Sequence, residues 1–377
     1  MIKPKNKINK SKFDLSFLII VILLSIYGTI MIISASYSYA NARFDDPFYF
    51  SKRHALWLII GLFTMLLASR IKLDIMQKTT PVLYVITLLL LILVLAAGLV
   101  GNGAKRWISI GPITIQPSEI SKLTIILMLS YYFSRYNELS LCKKGKKAFI
   151  FGTLIPIIIF LLPTVLIMLQ KHLSCIIIVS LISISLIVCA GINLKYIYGF
   201  VGCGALGIAA LALFTDYTKE RIMVWLNPEA YKLTGGWQTL QGLMAIGSGG
   251  IWGVGLGNSL MKCSYVSEPA NDMIFAILCE ELGIVGALIA IILFALLVIR
   301  GIKIALNAND TYSRLVAIGI SIKMAIQALL NIAVVTNSIP NTGISLPFFS
   351  YGGSSLVMVF FEMGLLLAIS RKAKILK

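Results

Sequence analysis

Acidic side chains are scarce in this sequence: 15 Asp and Glu stand against 33 Lys and Arg, and charged residues of both signs amount to only 13% of 377. So little polar surface excludes a water-soluble globule of this size. Histidine is almost missing, with only His54 and His172. His54 follows Lys52 and Arg53 at the edge of an apolar run, an interfacial position. His172, in QKHLS, has neither a second histidine nor a carboxylate near it in sequence, which argues against a metal role. Six cysteines are present without a useful pairing: Cys175, Cys189, Cys203 and Cys279 fall in apolar runs, and Cys142 and Cys263 fall on opposite sides of them. No structural disulfide is expected. Internal repeats and Pro/Ser-rich linkers are also lacking, so residues 1–377 read as a single integral membrane domain.

What is there is apolar: hydrophobic residues make up 58% of the chain, and the mean hydropathy is +0.92. A spanning helix needs about 20 mostly apolar residues. Ten runs qualify, roughly 14–36, 54–70, 80–101, 117–136, 149–169, 174–191, 197–215, 271–299, 315–335 and 352–370, the second and sixth being short. The expected fold class is an all-α polytopic membrane protein with about ten transmembrane helices and a long outer loop between helices 7 and 8. Charge then orients the spans. With the lysine-rich start MIKPKNKINKSK in the cytoplasm, 21 of the 33 Lys and Arg lie on the cytoplasmic side and 10 outside. This bias places both termini in the cytoplasm. The start resembles a cleavable signal peptide, but its apolar run from Phe17 to Ile33 exceeds the usual h-region of about 7–15 residues and reads as a retained first span. The net charge of +18 is therefore mostly a topology signal. No basic face on a soluble domain is visible, so no nucleic-acid partner is expected.

Four outer segments stand out: Tyr37–Arg53, Asn102–Gln116, Asp216–Ala270 and Thr336–Tyr351. The third, 216–270, is far longer than the roughly 15 residues above which loops usually carry function or structure of their own. Its glycine-rich centre, WQTLQGLMAIGSGGIWGVGLGNS, suits a re-entrant or interfacial segment shielded by protein. It opens with Lys219 and Arg221 and ends at SEPANDMIFAILCEELG, where Asp272 falls at the first turn of the eighth span. Asp272 is either a plain helix N-terminal carboxylate, stabilised by the helix dipole, or a functional acid whose basicity partial desolvation raises. On a continuous helix Glu280 and Glu281 lie more than about 10 Å deeper and cannot pair with it.

The second candidate cluster is GAKRWISIGPITIQPSEISK. Pro117 suits the first turn of the fourth span, and Glu119 a capping position within it. Lys122 lies three residues further on the same face, and an ion pair at that depth points to function. Arg106 is either an interface anchor or part of the same site. The last outer segment, NSIPNTGISLPFFSYGGSS, is a fixed turn or else lines a lipid or sugar site, with Ser350, Gly352 and Gly353 as backbone and hydroxyl donors.

These segments together resemble the SEDS family (shape, elongation, division and sporulation), the polytopic peptidoglycan polymerases that include FtsW, RodA and SpoVE. The resemblance covers nearly the whole chain and is carried by SASYSYA, KRWISIGPITIQPSEISK, ERIMVWLNPE, GWQTLQGLMAIGSGGIWGVGLGNS, SEPANDMIFAILCEELG and IPNTGISLPFFSYGGSS, in the family's order. It implies a ten-helix fold in the bacterial cytoplasmic membrane that polymerises lipid II at the outer face, a class B penicillin-binding protein transpeptidase as partner, and contact with other division or elongation proteins. SASYSYA and NTGISLPFFSYGG fit the FtsW and SpoVE types better than RodA. The family's essential acid falls on Asp272, its Glu and Lys after the QPSE turn on Glu119 and Lys122, and its Arg before Trp on Arg106. Two departures stand out: Ala270-Asn271 replaces the usual His-Thr before the acid, and QKHLS replaces the frequent QPDLG.

The mechanism implied needs one base. Asp272 would take the proton from the 4-hydroxyl of the acceptor GlcNAc as that oxygen attacks C1 of the donor MurNAc with inversion. The leaving diphosphate is already an anion, unlike the leaving group of a glycosidase, which needs two carboxylates. Lys122, Arg106 and Arg221 are the cations that would neutralise it. No dedicated metal motif is present; Mg²⁺ or Mn²⁺ is the one cofactor left open, bridging phosphate to carboxylate. The competing expectations are a lipid II flippase or other lipid transporter, which would carry ionisable groups at mid-membrane and broken helices in paired repeats, and a scaffold that only anchors division proteins.

Overall fold

The computed structural model describes residues 13–101, 104–111, 113–136, 150–191, 216–263 and 269–372. Helices dominate. In chain order they are α1 (Leu15–Phe44), α2 (Tyr49–Ala68), α3 (Leu73–Ala97), α4 (Pro117–Arg135), α5 (Ile155–Leu169, preceded by a π turn at Ile150–Leu154) and α6 (Leu173–Cys189). Then come α7 (Asp216–Leu226), α8 (Gly236–Gly249), α9 (Ile274–Leu306), α10 (Thr311–Val335) and α11 (Gly353–Lys372). Seven helical segments among the described residues are long and apolar enough to cross a membrane: α1, α2, α3, the π turn with α5, α9, α10 and α11. The chain is a multi-pass membrane protein. The α6 helix is shorter, at 17 residues, and α4 has 19. The expected span 197–215 lies outside the described residues, as do Cys142 and Cys203.

Several boundaries differ from the sequence expectation for local reasons. The α1 helix continues to Phe44 because nothing in SASYSYANARF breaks it, and it stops only where Asp45 turns left-handed at φ 54°. Asp14 caps its other end by accepting from Phe17 N at 2.9 Å. Residues 99–115 hold a three-stranded antiparallel sheet, β1 (Leu99–Gly101), β2 (Ala104–Ile110) and β3 (Ile113–Ile115), where no strand was expected. Its β2–β3 hairpin pairs Ile110 with Ile113. The β-branched runs on either side of Gly111-Pro112 were the available signal, weak because the third strand has only three residues. The sheet and helices α7 and α8 mark one end of the bundle, hereafter the loop end.

Small residues let the bundle close. A side chain at Gly28 of α1 would strike the Phe348 carbonyl, one at Gly61 of α2 the Phe360 ring of α11, and one at Gly364 of α11 the backbone of α2 at Met65. These close approaches suit helix association in lipid, where the apolar solvent offers no hydrophobic drive between helices.

The largest correction concerns α9. Gly283 sits at φ 64°, ψ −164°, which breaks the helix after a short first piece. A continuous helix would join Ile284 N to Glu280 O and Val285 N to Glu281 O. The loop after α8 takes up these groups instead. Ile284 N donates to Gly250 O at 3.0 Å and Val285 N to Ile251 O at 3.2 Å, while Val254 N and Gly255 N donate to the carbonyls of Glu280 and Glu281, each at 3.0 Å. Four loop bonds thus serve backbone groups on both sides of the break, as an apolar surrounding demands. Gly253 and Gly283 are required here: both have positive φ, and an added Cβ at either would collide with the opposing backbone. Glu280 and Glu281 therefore lie level with the loop, not deep in a span. The Glu280 carboxylate accepts from Leu260 N at 2.9 Å and from Ser259 Oγ. Glu281 pairs with buried Lys262 at 2.7 Å and accepts from Ser34 of α1. The remaining piece of α9, residues 284–306, still suffices to cross a hydrocarbon core of about 30 Å.

Candidate active site

At the loop end β2, α4, α6, α10 and the segment 336–352 enclose a polar cavity of about 220 Å³. Three ionisable side chains of its wall were expected there from sequence: Arg106, Glu119 and Lys122. Pro117 opens α4, so Glu119 falls in its first turn and Lys122 one turn on. Lys122 Nζ meets Glu119 Oε1 at 2.7 Å, both side chains nearly buried. Ser355 of α11 donates to the other Glu119 oxygen at 3.3 Å.

Arg106 comes from the middle of β2 and is held by the end of α5. Its guanidinium donates to the carbonyls of Gln170 and Lys171, which carry the negative end of the α5 dipole. Beside it His172 lines the cavity and contacts Ser118 Oγ through Nδ1 at 3.2 Å. Burial pushes the His172 imidazole down to about 3, and the nearby Arg106 charge adds to the effect. This histidine is neutral at physiological pH. The charged side chains among the described residues of the cavity wall are thus two cations, Arg106 and Lys122, and one carboxylate, Glu119, a positive setting.

Asp272 stands at the edge of this cavity, which its neighbour Asn271 lines. It is half-buried and lies before helix α9, two residues ahead of Ile274, rather than in the first turn as expected. Its position is set from three sides. Gln238 of α8 donates to Asp272 Oδ2 at 3.3 Å, Asn331 of α10 donates to the Asp272 carbonyl at 2.9 Å, and the Gly343 backbone lies close to the carboxylate. Asn331 also grips the Ile344 carbonyl at 2.6 Å, which ties the segment 336–352 to the same support. Arg221 does not line the cavity, yet it joins this network: it donates to the Asn341 carbonyl, and Asn341 donates to Gln238 at 3.3 Å.

The three candidates from the last segment divide. Gly352 lines the cavity. Ser350 is buried beside it, donating to the Asn271 carbonyl at 2.6 Å and accepting from Leu346 N at 2.7 Å, so its hydroxyl fixes the turn that carries Asn271 and Asp272. Gly353 packs against the Trp57 indole of α2, where any side chain would clash.

Sequence reasoning passed over Gln238, Asn341, Gln327, Asn331 and the Glu362 partner of Lys323. A signal existed for two of these groups. Lys323, Gln327 and Asn331 recur every fourth residue of an otherwise apolar helix, which places them on one face. Gln327 lines the cavity. Lys323 ends the stripe at mid-helix, paired with Glu362 of α11, both fully buried.

Comparison with known proteins places this architecture. The FtsW/RodA/SpoVE family model, described as cell cycle protein, matches residues 14–375. Stage V sporulation protein E of Bacillus subtilis (strain 168) is 40% identical over 97% of this chain and 99% of its own length. The FtsW of Geobacter metallireducens, named a probable peptidoglycan glycosyltransferase, is 35% identical over 96% of both chains. Among solved structures, a chain from a peptidoglycan synthase complex that coordinates polymerization and crosslinking superposes with a TM-score of 0.77, at 26% identity, over 95% of this chain and 98% of its own. RodA of Thermus thermophilus, a rod shape determining protein, gives a TM-score of 0.70 at 25% identity over 96% and 97%. The chain belongs to the FtsW/RodA/SpoVE family of polytopic membrane proteins.

Proposed function

We propose that this protein is a peptidoglycan glycosyltransferase that polymerises lipid II at the outer face of the bacterial cytoplasmic membrane, in division or a related process. The family membership and the names of its relatives support the activity. The observation that carries the chemistry is a half-buried carboxylate, Asp272, held by Gln238 and by the segment 336–352 at the edge of a cavity whose charge is net positive. The excess of Lys and Arg in the segments opposite the loop end supports a loop end facing outward, with both termini in the cytoplasm.

The acceptor GlcNAc 4-hydroxyl loses its proton to Asp272 as its oxygen forms a bond to C1 of the donor MurNAc. The C1–oxygen bond to the diphosphate breaks with inversion, and the electron pair leaves on undecaprenyl diphosphate. Arg106 and Lys122 hold that diphosphate in a poorly solvated cavity, where fixed cations act most strongly. Arg221 acts one step removed, positioning Asn341 and Gln238. Among the described residues no group of three or more His, Cys, Asp or Glu side chains could hold a metal ion, so no step is assigned to Mg²⁺ or Mn²⁺. A class B penicillin-binding protein is the expected transpeptidase partner, in line with the crosslinking complex that this chain resembles.

A lipid II flippase is the second reading, and the mid-helix pair Lys323–Glu362 is the observation in its favour. That pair is sealed, with neither side chain exposed. The deciding experiment supplies purified protein in vesicles with lipid II blocked at the GlcNAc 4-hydroxyl or left free, following glycan length and movement between leaflets. Long glycan from free substrate and none from blocked substrate is expected. Asp272-dependent movement without polymer would put the flippase first.

A further inference from the structure

Outside the cavity, the last turns of α1 and the first turn of α2 carry an aromatic cluster to which the chemistry above gives no role. Phe44 and Tyr49 stack face to face, with centroids 3.9 Å apart and planes at 7°. Phe50 meets Phe44 and Tyr49 edge-on at 5.6 and 5.3 Å, and meets Tyr351 at 5.0 Å. Tyr351 lines the cavity. A continuous track of rings therefore leads from the cavity wall to the loop end of α1. Two guanidinium groups lie on ring faces along it: Arg53 over Tyr49 at 4.3 Å, and Arg43 over Tyr39 and Phe44 at 5.8 and 6.0 Å. Arg43 also donates to the Tyr39 hydroxyl, and Arg53 hydrogen-bonds Tyr351.

An aromatic belt at the lipid interface is the simple explanation for Tyr and Phe at helix ends. Two features separate this cluster from one. The two guanidiniums are partnered within the cluster although exposed, Arg43 by the Tyr39 hydroxyl and Arg53 by Tyr351. The track also opens into a polar cavity and carries the hydroxyls of Tyr39, Tyr49 and Tyr351, with Phe44 still 41% exposed. Exposed ring faces, hydroxyls and fixed guanidiniums are the groups that recognise a polysaccharide, through C–H faces, hydroxyls and carboxylates of attached peptides respectively.

We infer that the α1–α2 aromatic track binds the nascent glycan strand as it leaves the cavity. The inference rests on the proposed function for the identity of the polymer, but its test does not need turnover. Full-length protein in nanodiscs is titrated with a soluble, lipid-free GlcNAc–MurNAc oligosaccharide. The wild type and the catalytically blocked Asp272→Asn variant should bind it alike, and Arg43→Ala/Phe44→Ala should bind at least about tenfold more weakly. Arg43→Lys, which keeps the charge and loses the planar group, should fall between them and guards against a misfolded double variant. With lipid II, the double variant should make shorter strands per lipid consumed. Equal oligosaccharide affinity in wild type and double variant overturns the inference, as does absence of binding in the wild type. Unchanged affinity with a loss of membrane insertion would assign the rings to the lipid interface instead. A wild type that binds oligosaccharide but never polymerises lipid II would count against the proposed function and leave the track standing.

Discussion

Two buried ion pairs of the same composition sit in different surroundings. Glu119–Lys122 lies within one helix and borders the cavity. Lys323–Glu362 joins α10 to α11 with neither side chain exposed. They are near enough to interact, since Glu119 feels Lys323 and Lys122 feels Glu362. Removing two charges from water costs several kcal/mol per ion, which mutual attraction only partly restores. The open pair has a use for that cost, because a lysine whose partner lies in the cavity wall can also meet an entering diphosphate. The sealed pair is wholly buried. Its one possible return is register, since it places the stripe Lys323, Gln327, Asn331 so that Asn331 reaches the Asp272 carbonyl and Ile344. One pair faces the cavity, and the other lies on the helix whose Asn331 supports the Asp272 carbonyl.

The comparison breaks if the cavity end tolerates loss of its base. Asp272→Asn keeps the shape and removes the basicity, so polymerisation by the purified variant should fall by about 10²–10⁴-fold with folding unchanged. Wild-type glycan synthesis would remove Asp272 from the chemistry. The next effect in size concerns the sealed pair. Lys323→Met strands Glu362 and should cost about 3–5 kcal/mol of stability, whereas Lys323→Met/Glu362→Leu should recover most of it. Thermal unfolding in detergent reads both, and a double variant as weak as the single one would show that the charges do more than set register.

A double-mutant cycle on Glu119 and Lys122 sharpens the contrast further. Coupling of roughly 0.5–3 kcal/mol in stability is expected for side chains in contact, and activity should drop even in the stable double variant. Additive stability effects would mean that the pair does not interact. The smallest effect is a pH dependence. The folded-state pKa of His172 is depressed to about 3 by burial and Arg106, against about 6.5 unfolded. The unfolded chain therefore binds the proton first, and His172 favours the fold fully above pH 6.5, losing that contribution as pH falls toward 3. Between pH 6.5 and 5 the loss should be roughly 1–2 kcal/mol. His172→Gln should flatten this part of the stability profile; an unchanged profile would assign the acid sensitivity to other groups.

Composition and periodicity determined a good part of this protein without coordinates. Apolar runs of spanning length marked the helices, because a lipid solvent forces the backbone to satisfy itself within each segment. Glu119 and Lys122 could be paired from their spacing, because positions three apart on a helix share a face. Asp272 could be singled out as an acid next to a long polar loop. Tertiary structure alone decided the rest. The break at Gly283 depends on loop residues 250–255 arriving to bond the backbone on either side of it, and no local pattern in CEELGIVGA announces a partner about thirty residues upstream. Lys323 was visible as a charge in an apolar span, but its match with Glu362 depended on how α10 and α11 pack. Gln238, Asn341 and Arg221 meet around Asp272 only because α7, α8 and the segment 336–352 fold over one end of the bundle. Helix positions follow from local chemistry, which sequence carries directly. The aim of a carboxylate depends on hydrogen bonds between residues tens of positions apart, and those exist only once the chain has closed on itself.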